Sequence, residues 1–329
     1  MSTDKIKLKP IFIFFVTLLL STLFSCNILN GKENFNDSSI SIISWNLQTF
    51  FDSVTEGTEY SEFRGNSSKW TKEKYEERIS RLCNFIESQD ADIYAFSELE
   101  NANILQDISN NLNSKSIKGG KYKYACFGKN PGGVFGCGVI SKYPLENLKL
   151  HNIDFRNFDN QPELRPILEI SACNKNQETF SLFVCHWKSK SGGEKETDIW
   201  RDLQESLLAN CILKSKNKKI VVCGDFNRDL DEFKTNTTKD KILLRSFGDE
   251  NQVYQELVNP WLQSTEKGSY NFNGEWNKID HFFLSSNINF LNFCTIQDFT
   301  DDKGYPVEYS VRTGRGYSDH LPIMCQFSF

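Results

Sequence analysis

The stretch "VVCGDFNRDL", residues 221–230, runs three apolar residues into a glycine and then into Asp225 and Asn227. Val221, Val222 and Cys223 read as the end of a buried strand. Residues two apart on an extended chain point the same way, so Asp225 and Asn227 are expected to share a direction at the strand's end. A carboxylate and an amide delivered together to a sheet rim serve a core poorly and a ligand well.

The same layout recurs along the chain. Strand-like runs at 40–45, 93–96 and 180–185 close on Asn46, Glu98 and His186, as the run at 220–223 closes on Asp225 and Asn227. Two further runs, 281–284 and 321–327, open on polar residues: Asp280 and His281 lead the first, Asp319 and His320 the second. If the second set runs antiparallel to the first, all six segments meet on one rim. The chain has four histidines, and only His151 lies away from these ends. Strands are also expected at 134–141 and 167–170. The helical spacing of Tyr75, Ile79, Leu82 and Ile86 predicts a helix within 70–88, and Thr197 is expected to cap a second one through 213, with Leu203, Leu207 and Cys211 on its inner face. Strands interleaved with helices, and no linker after residue 40, make the class α/β with one domain over 40–329.

With 329 residues, 39% of them hydrophobic, the chain can build a large core, and its net charge of −5 offers no general polyanion-binding surface. A phosphate ligand would have to be held locally, by a few basic side chains or a metal. Lys5, Lys7 and Lys9 ahead of "IFIFFVTLLL" (11–20) give residues 1–25 the layout of an export signal. It stops at Cys26, and "LFSC" (23–26) resembles the lipobox of bacterial lipoproteins. That resemblance implies lipidation of Cys26, a flexible tether over 26–39 and a lipid-anchored place in the cell envelope. Of the ten cysteines, Cys185 and Cys223 fall in strand-like runs and Cys83 and Cys211 in helix-like ones, where a thiol packs as a small hydrophobe. No Cys-x-x-Cys pair suggests a zinc or redox site.

A carboxylate such as Glu98 is a hard oxygen ligand suited to Mg²⁺, Mn²⁺ or Ca²⁺, and histidines near neutral pKa can move protons or steady an anionic phosphorane. The sequence has no nucleophile elbow, P-loop or zinc-protease helix to compete with that reading. "SWN" (44–46), "DIYAFSELEN" (92–101), "RPILEI" (165–170), "VCHWKSKSGG" (184–193), "GDFN" (224–227), "GEWNKIDHFFLS" (274–285) and "SDHLPI" (318–323) together resemble, in order and spacing, the motifs of the endonuclease/exonuclease/phosphatase superfamily with its deoxyribonuclease I-like fold. The resemblance implies a four-layer sandwich, two mixed β-sheets face to face with helices outside. It implies that Asn46 and Glu98 sit at the metal, with Glu98 the principal ligand, and that Asp319 completes the site. Asp225 would position or deprotonate water, or protonate the leaving group, and Asn227 would orient the scissile phosphate. His320, held by Asp280, would contact the phosphate, His186 would face it from the other side, and Arg165 would bind it. His281 is expected to support the fold. Gln48 stands where some nucleases of the superfamily carry an acid, which weakens the case for a second metal.

"SELEN" and "CHWKSKSGGE" look most like segments of secreted bacterial nucleases, so DNA or RNA is the expected substrate. The basic runs "KYKY" (121–124) and "KSKSGGEK" (188–195) could meet its backbone. A phospholipase C-like sphingomyelinase, a phosphoinositide phosphatase and a non-catalytic surface lipoprotein are the alternatives. Nothing in the sequence calls for an obligate protein partner.

Overall fold

A computed structural model describes residues 39–65, 67–114, 120–154, 161–246 and 253–329. The expected export signal, Cys26 and all but the last residue of the tether lie outside them. In chain order the elements are β1 (Ile40–Phe50), α1 (Lys72–Gln89), β2 (Ile93–Leu99), α2 (Ala102–Ser114), β3 (Tyr124–Gly128), β4 (Gly136–Ser141) and β5 (Leu145–His151). They continue with β6 (Ile167–Cys173), β7 (Thr179–His186), α3 (Glu194–Lys214), β8 (Ile220–Asp225), β9 (Ile242–Ser246) and β10 (Val253–Leu257). The last are β11 (Tyr270–Phe272), β12 (Glu275–Asn277), β13 (Asp280–Leu284), β14 (Asn289–Thr295) and β15 (Ile323–Ser328).

One six-stranded sheet has the order β14-β15-β1-β2-β4-β3 and one five-stranded sheet the order β13-β8-β7-β6-β5. Each is mixed, with one parallel pair near its centre, β1 with β2 and β7 with β8. The parallel strands are buried over most of their length, as strands covered on both faces must be. The inner faces pack on each other through Ile42, Ile93, Val139, Leu182, Val221 and Cys223. α1 and α2 cover the six-stranded sheet, and α3 with β9 covers the other. The result is the expected four-layer α/β sandwich. Cys137, Cys185, Cys223 and Cys325 are free thiols buried inside it.

α1 forms as its pattern predicts: Tyr75, Ile79, Leu82 and Ile86 are buried, the Thr71 side chain accepts the Lys74 N–H, and Asp90 ends the helix in the left-handed region at φ 47°. Each buried side chain contributes about 1.5–3 kcal/mol. α3 departs from expectation. It starts at Glu194, so Thr197 is inside it, its hydroxyl donating to the Gly193 carbonyl. Its buried face carries Arg201, Gln204, Glu205, Leu208 and Ile212, while Leu203 and Leu207 are only half-buried. The rotation follows from Glu205, which goes inside to meet Arg228 at 2.6 Å and Arg245 at 2.8 Å.

β13 runs antiparallel to β8 and β15 antiparallel to β1, so the rim expected from the sequence exists: Asp280 pairs with Asp225, and His186 pairs with Asp225 from the other side. Gly224 makes this crossing possible. Its φ is +135°, and a Cβ there would fall 1.9 Å from the Cys185 carbonyl oxygen.

Candidate active site

Asp225 lies at the centre of the rim. Its Oδ2 accepts from Asn46 Nδ2 at 2.9 Å and lies 3.6 Å from His186 Nε2 and 4.0 Å from His320 Nε2. Its Oδ1 accepts the Asn227 N–H at 2.8 Å, which turns the chain out of the strand and leaves Asn227 left-handed at φ 48°. Asp225 and Asn227 therefore reach the rim by an Asx-type turn, not by the strand alternation expected. One Asn227 side-chain N–H donates to the Trp187 carbonyl.

Asn46 and Glu98 arrive differently. Between the pairs Asn46–Ser97 and Phe50–Leu99, three residues of β1 oppose one of β2. Gln48 and Thr49 both take φ 49°, and Glu98 takes 63°. Neither strand ends where its apolar run does, because each continues beyond a bulge. Bulges of this kind re-aim side chains at sites. Thr49 N–H donates to Glu98 Oε2 at 2.6 Å, and Asn46 Nδ2 reaches Glu98 Oε1 at 3.1 Å. Buried Arg78 of α1 donates to the carbonyls of Leu47, Gln48 and Thr49, its guanidinium held over the rings of Phe50 and Tyr309. Gln48 is tied to the Tyr309 backbone. The position that the superfamily sometimes fills with an acid is thus a brace here.

His320 is set by a third mechanism, a loop pinned ahead of β15. The Ser318 hydroxyl donates to the Asn46 carbonyl and accepts the His320 N–H, and the Trp45 indole donates to the His320 carbonyl. Asp280 Oδ2 sits 2.7 Å from His320 Nδ1 and also accepts from the Ser269 hydroxyl at 2.6 Å. The Tyr270 ring packs 4.8 Å from the imidazole. Ser269, Tyr270, Thr49 and Arg78 were not anticipated from sequence. Ser318, within "SDH", was the one visible signal.

Electrostatics separates the two histidines. Burial, with Arg165, His320 and Lys188 nearby, holds His186 well below the usual histidine range, so it is neutral. Burial alone would lower His320 too, but the carboxylates of Asp280, Asp319 and Asp225 outweigh it and hold His320 well above that range. Burial raises Asp225 to about 7, against the His320 charge. Burial raises Asp319 as well, with the Glu98 charge adding to the effect.

The remaining candidates sort cleanly. Arg165 is half-buried and close enough to His186 to depress its pKa. His281 supports the fold as expected: it bonds Asn259 and the Arg228 carbonyl, and burial lowers it to about 4. His151 is far along the same sheet on Glu169. Of the basic runs, Lys121 pairs with Asp90 and Lys190 with Glu194 and Glu232, whereas the Lys188 ammonium donates to the Ser189 and Ser191 carbonyls and its charge helps to lower the pKa of His186.

Residues 41–328 match the model of the endonuclease/exonuclease/phosphatase family. The chain belongs to that family. Its members hydrolyse phosphoesters, and this chain is a phosphodiester hydrolase. No curated protein matches it. Among solved structures it is similar to a Bacteroides thetaiotaomicron endonuclease/exonuclease/phosphatase family protein, at 15% identity and TM-score 0.56 over 89% of this chain and 98% of that one. It is similar to D. rerio TDP2 complexed with single strand DNA product, at 17% identity and TM-score 0.54 over 89% and 100%. The human Nocturnin catalytic domain with bound sulfate matches at 17% identity and TM-score 0.52 over 90% and 95%. These likenesses establish the common fold.

The family implies a divalent metal, and the residues fit one. Glu98 and Asp319 offer hard carboxylate oxygens, and burial raises Asp319 against the His320 charge, with the Glu98 carboxylate adding to the rise, as suits acids that a cation would relieve. Asn46 does not fit as a ligand in this geometry. Its nitrogen faces Glu98 and Asp225 while its Oδ1 takes the Gln48 N–H, so it spaces the two acids. Asp225, Asp280 and His320 also bring ligand atoms within 4.8 Å of one another, but the His320–Asp280 hydrogen bond already occupies that group.

Proposed function

We propose that the chain is an exported, lipid-anchored nuclease that hydrolyses DNA or RNA with Mg²⁺ or Mn²⁺. The observation that carries the hydrolytic reading is Asp225 Oδ2 placed between a neutral and a charged histidine. Glu98 and Asp319 would hold the ion, which supplies Lewis-acid stabilisation of phosphate charge. Asp225 takes the proton of the attacking water, its raised pKa matching the task. Protonated His320, fixed by Asp280, stabilises negative charge developing on phosphate oxygens. His186 offers a neutral N–H from the opposite side, and the second side-chain N–H of Asn227 and the Arg165 guanidinium orient the phosphate. The D. rerio TDP2 complex with single strand DNA product supports nucleic acid as the polymer.

The test is the full chain assayed on plasmid DNA, RNA, sphingomyelin and phosphoinositides. Nucleic acid should be cut, excess EDTA should abolish cutting, and Mg²⁺ or Mn²⁺ should restore it. Cleavage of lipid substrates alone would replace the nuclease reading. For the anchor, Cys26→Ser should end labelling by radioactive fatty acid; undiminished labelling would overturn the lipobox.

A further inference from the structure

The inward face of α3 is apolar toward its end and polar nearer its start. Leu208, Ala209 and Ile212 seal the five-stranded sheet, but ahead of them the buried positions are Arg201, Gln204 and Glu205. Apolar residues would close that end as well. Buried ion pairs add little stability over apolar packing, and their best-attested use is to hold one arrangement against others.

These side chains hold the backbone that leaves the catalytic rim. Gln204 Oε1 accepts the Lys188 N–H at 2.8 Å, and Arg201 Nη1 donates to the Lys188 carbonyl at 3.2 Å, so both backbone groups of the second residue after His186 end on α3. Arg201 is itself fixed by the Glu194 carbonyl and the Thr197 hydroxyl. Three residues after Asp225, buried Arg228 donates to Glu205 at 2.6 Å, Asp202 at 2.8 Å and Asp198 at 2.9 Å, and its own carbonyl lies 2.9 Å from His281 Nε2. The loops after β7 and β8 are thus tied to the same helix. Asn227 spans them: its backbone adjoins Arg228, and its side chain donates at 3.2 Å to the carbonyl of Trp187, which adjoins Lys188. A shift of either loop turns the amide.

We propose that Gln204 and Arg228 are positioning residues for phosphate binding. Clamped on α3, they set the spacing of the two loops at which the second side-chain N–H of Asn227 meets the scissile phosphate. This deepens the proposed hydrolysis: it rests on the role given there to Asn227, and not on nucleic acid as the substrate.

Bis(4-nitrophenyl) phosphate, with Mg²⁺ or Mn²⁺, reads the diester chemistry without a polymer. In the full chain Gln204→Met keeps length and apolar volume but removes the acceptor of the Lys188 N–H, and kcat/KM should fall about tenfold. Gln204→Glu keeps that acceptor and should return kcat/KM to within about threefold of the native value. In an Asn227→Ala background Gln204→Met should cost less than about twofold, because both changes act through one amide. Arg228→Lys keeps the charge without the fork and should show the same dependence on Asn227, which makes it the second variant should Gln204→Met fail to fold. Losses of equal size with and without Asn227, or a lower melt beside native kcat/KM, would overturn the proposal and leave α3 a support of the fold. An Asn227→Ala chain as active as the native one would remove the phosphate role of Asn227 and the proposal with it. Hydrolysis of the small diester without cleavage of DNA or RNA would end the nuclease reading and leave this test standing.

Discussion

The five-stranded sheet has two edge strands, and each takes part in a histidine–carboxylate pair. At β13, Asp280 Oδ2 is 2.7 Å from His320 Nδ1; at β5, His151 Nε2 is 2.6 Å from Glu169 Oε2 on β6. The contacts are alike, and their surroundings are not. His320 is buried with Asp280, Asp225 and Asp319 acting on one imidazole, whereas Glu169 is shared by His151 and Lys149 at an edge where the histidine side chain is 24% exposed. Several acids around one buried cation make a proton-transfer centre. Two bases around one acid near solvent make a surface ion pair.

The largest effects should come from the crowded edge. Asp225→Asn keeps shape and removes the base, so kcat/KM for nucleic-acid cleavage should fall about 10²–10⁴-fold with little change in the melt. His320→Ala should lose a similar factor, and the double variant less than the product, because both groups act on one transition state. Near-native turnover by Asp225→Asn would move the active site elsewhere.

Asp280→Asn probes the same edge through pH. Asp225 must be ionised to take a proton, so activity should rise with pH through its value of about 7. His320 must stay protonated, so activity should fall as pH climbs through its raised value. The profile is bell-shaped. Removing the Asp280 charge withdraws the largest favourable influence on the imidazolium, and the alkaline limb should move down by at least about one pH unit. An unmoved limb would show that the pair at β13 is no more than the pair at β5.

Sequence alone revealed the regular part of this site. His186 and Asp225 close apolar runs and Asp280 opens one, and these runs pair in plain register, so the strand pattern located them. Glu98 was found at its strand end, but the bulge that aims it was hidden: left-handed Gln48, Thr49 and Glu98 carry no glycine to mark the turn. The brace is Arg78, which reads as the polar side of an amphipathic helix and is in fact buried. α3 misled for the same reason, since Arg201 and Glu205 pack inward through ion pairs and hydrogen bonds that periodicity counts as solvent-facing. Buried charges satisfied by distant partners are invisible to a local pattern.

That brace gives an intermediate effect. Arg78→Lys keeps the charge but replaces a planar fork reaching three carbonyls with a single ammonium. Leaving buried carbonyls unpaired costs about 1–3 kcal/mol each, so unfolding in denaturant should report a loss of about 2–4 kcal/mol. Glu98 should be mispositioned with it, raising the Mg²⁺ concentration needed for half-maximal activity. A stable variant with unaltered Mg²⁺ demand would show that the bulge holds itself.

His151→Ala should do least, and it bears directly on the comparison between the edges. The substitution removes a contact as short as the one at His320, so if contact length alone made a site, activity would suffer. His151 lies four strands from β13 in the sheet order, and Lys149 remains at 3.0 Å to keep Glu169 paired. Partly exposed ion pairs contribute about 0–1 kcal/mol, so the melt should drop slightly and kcat/KM should stay within about twofold of the native value. A tenfold loss of kcat/KM with an intact melt would mean that β5 reaches the substrate after all, and that the quiet edge of the sheet belongs to the binding surface.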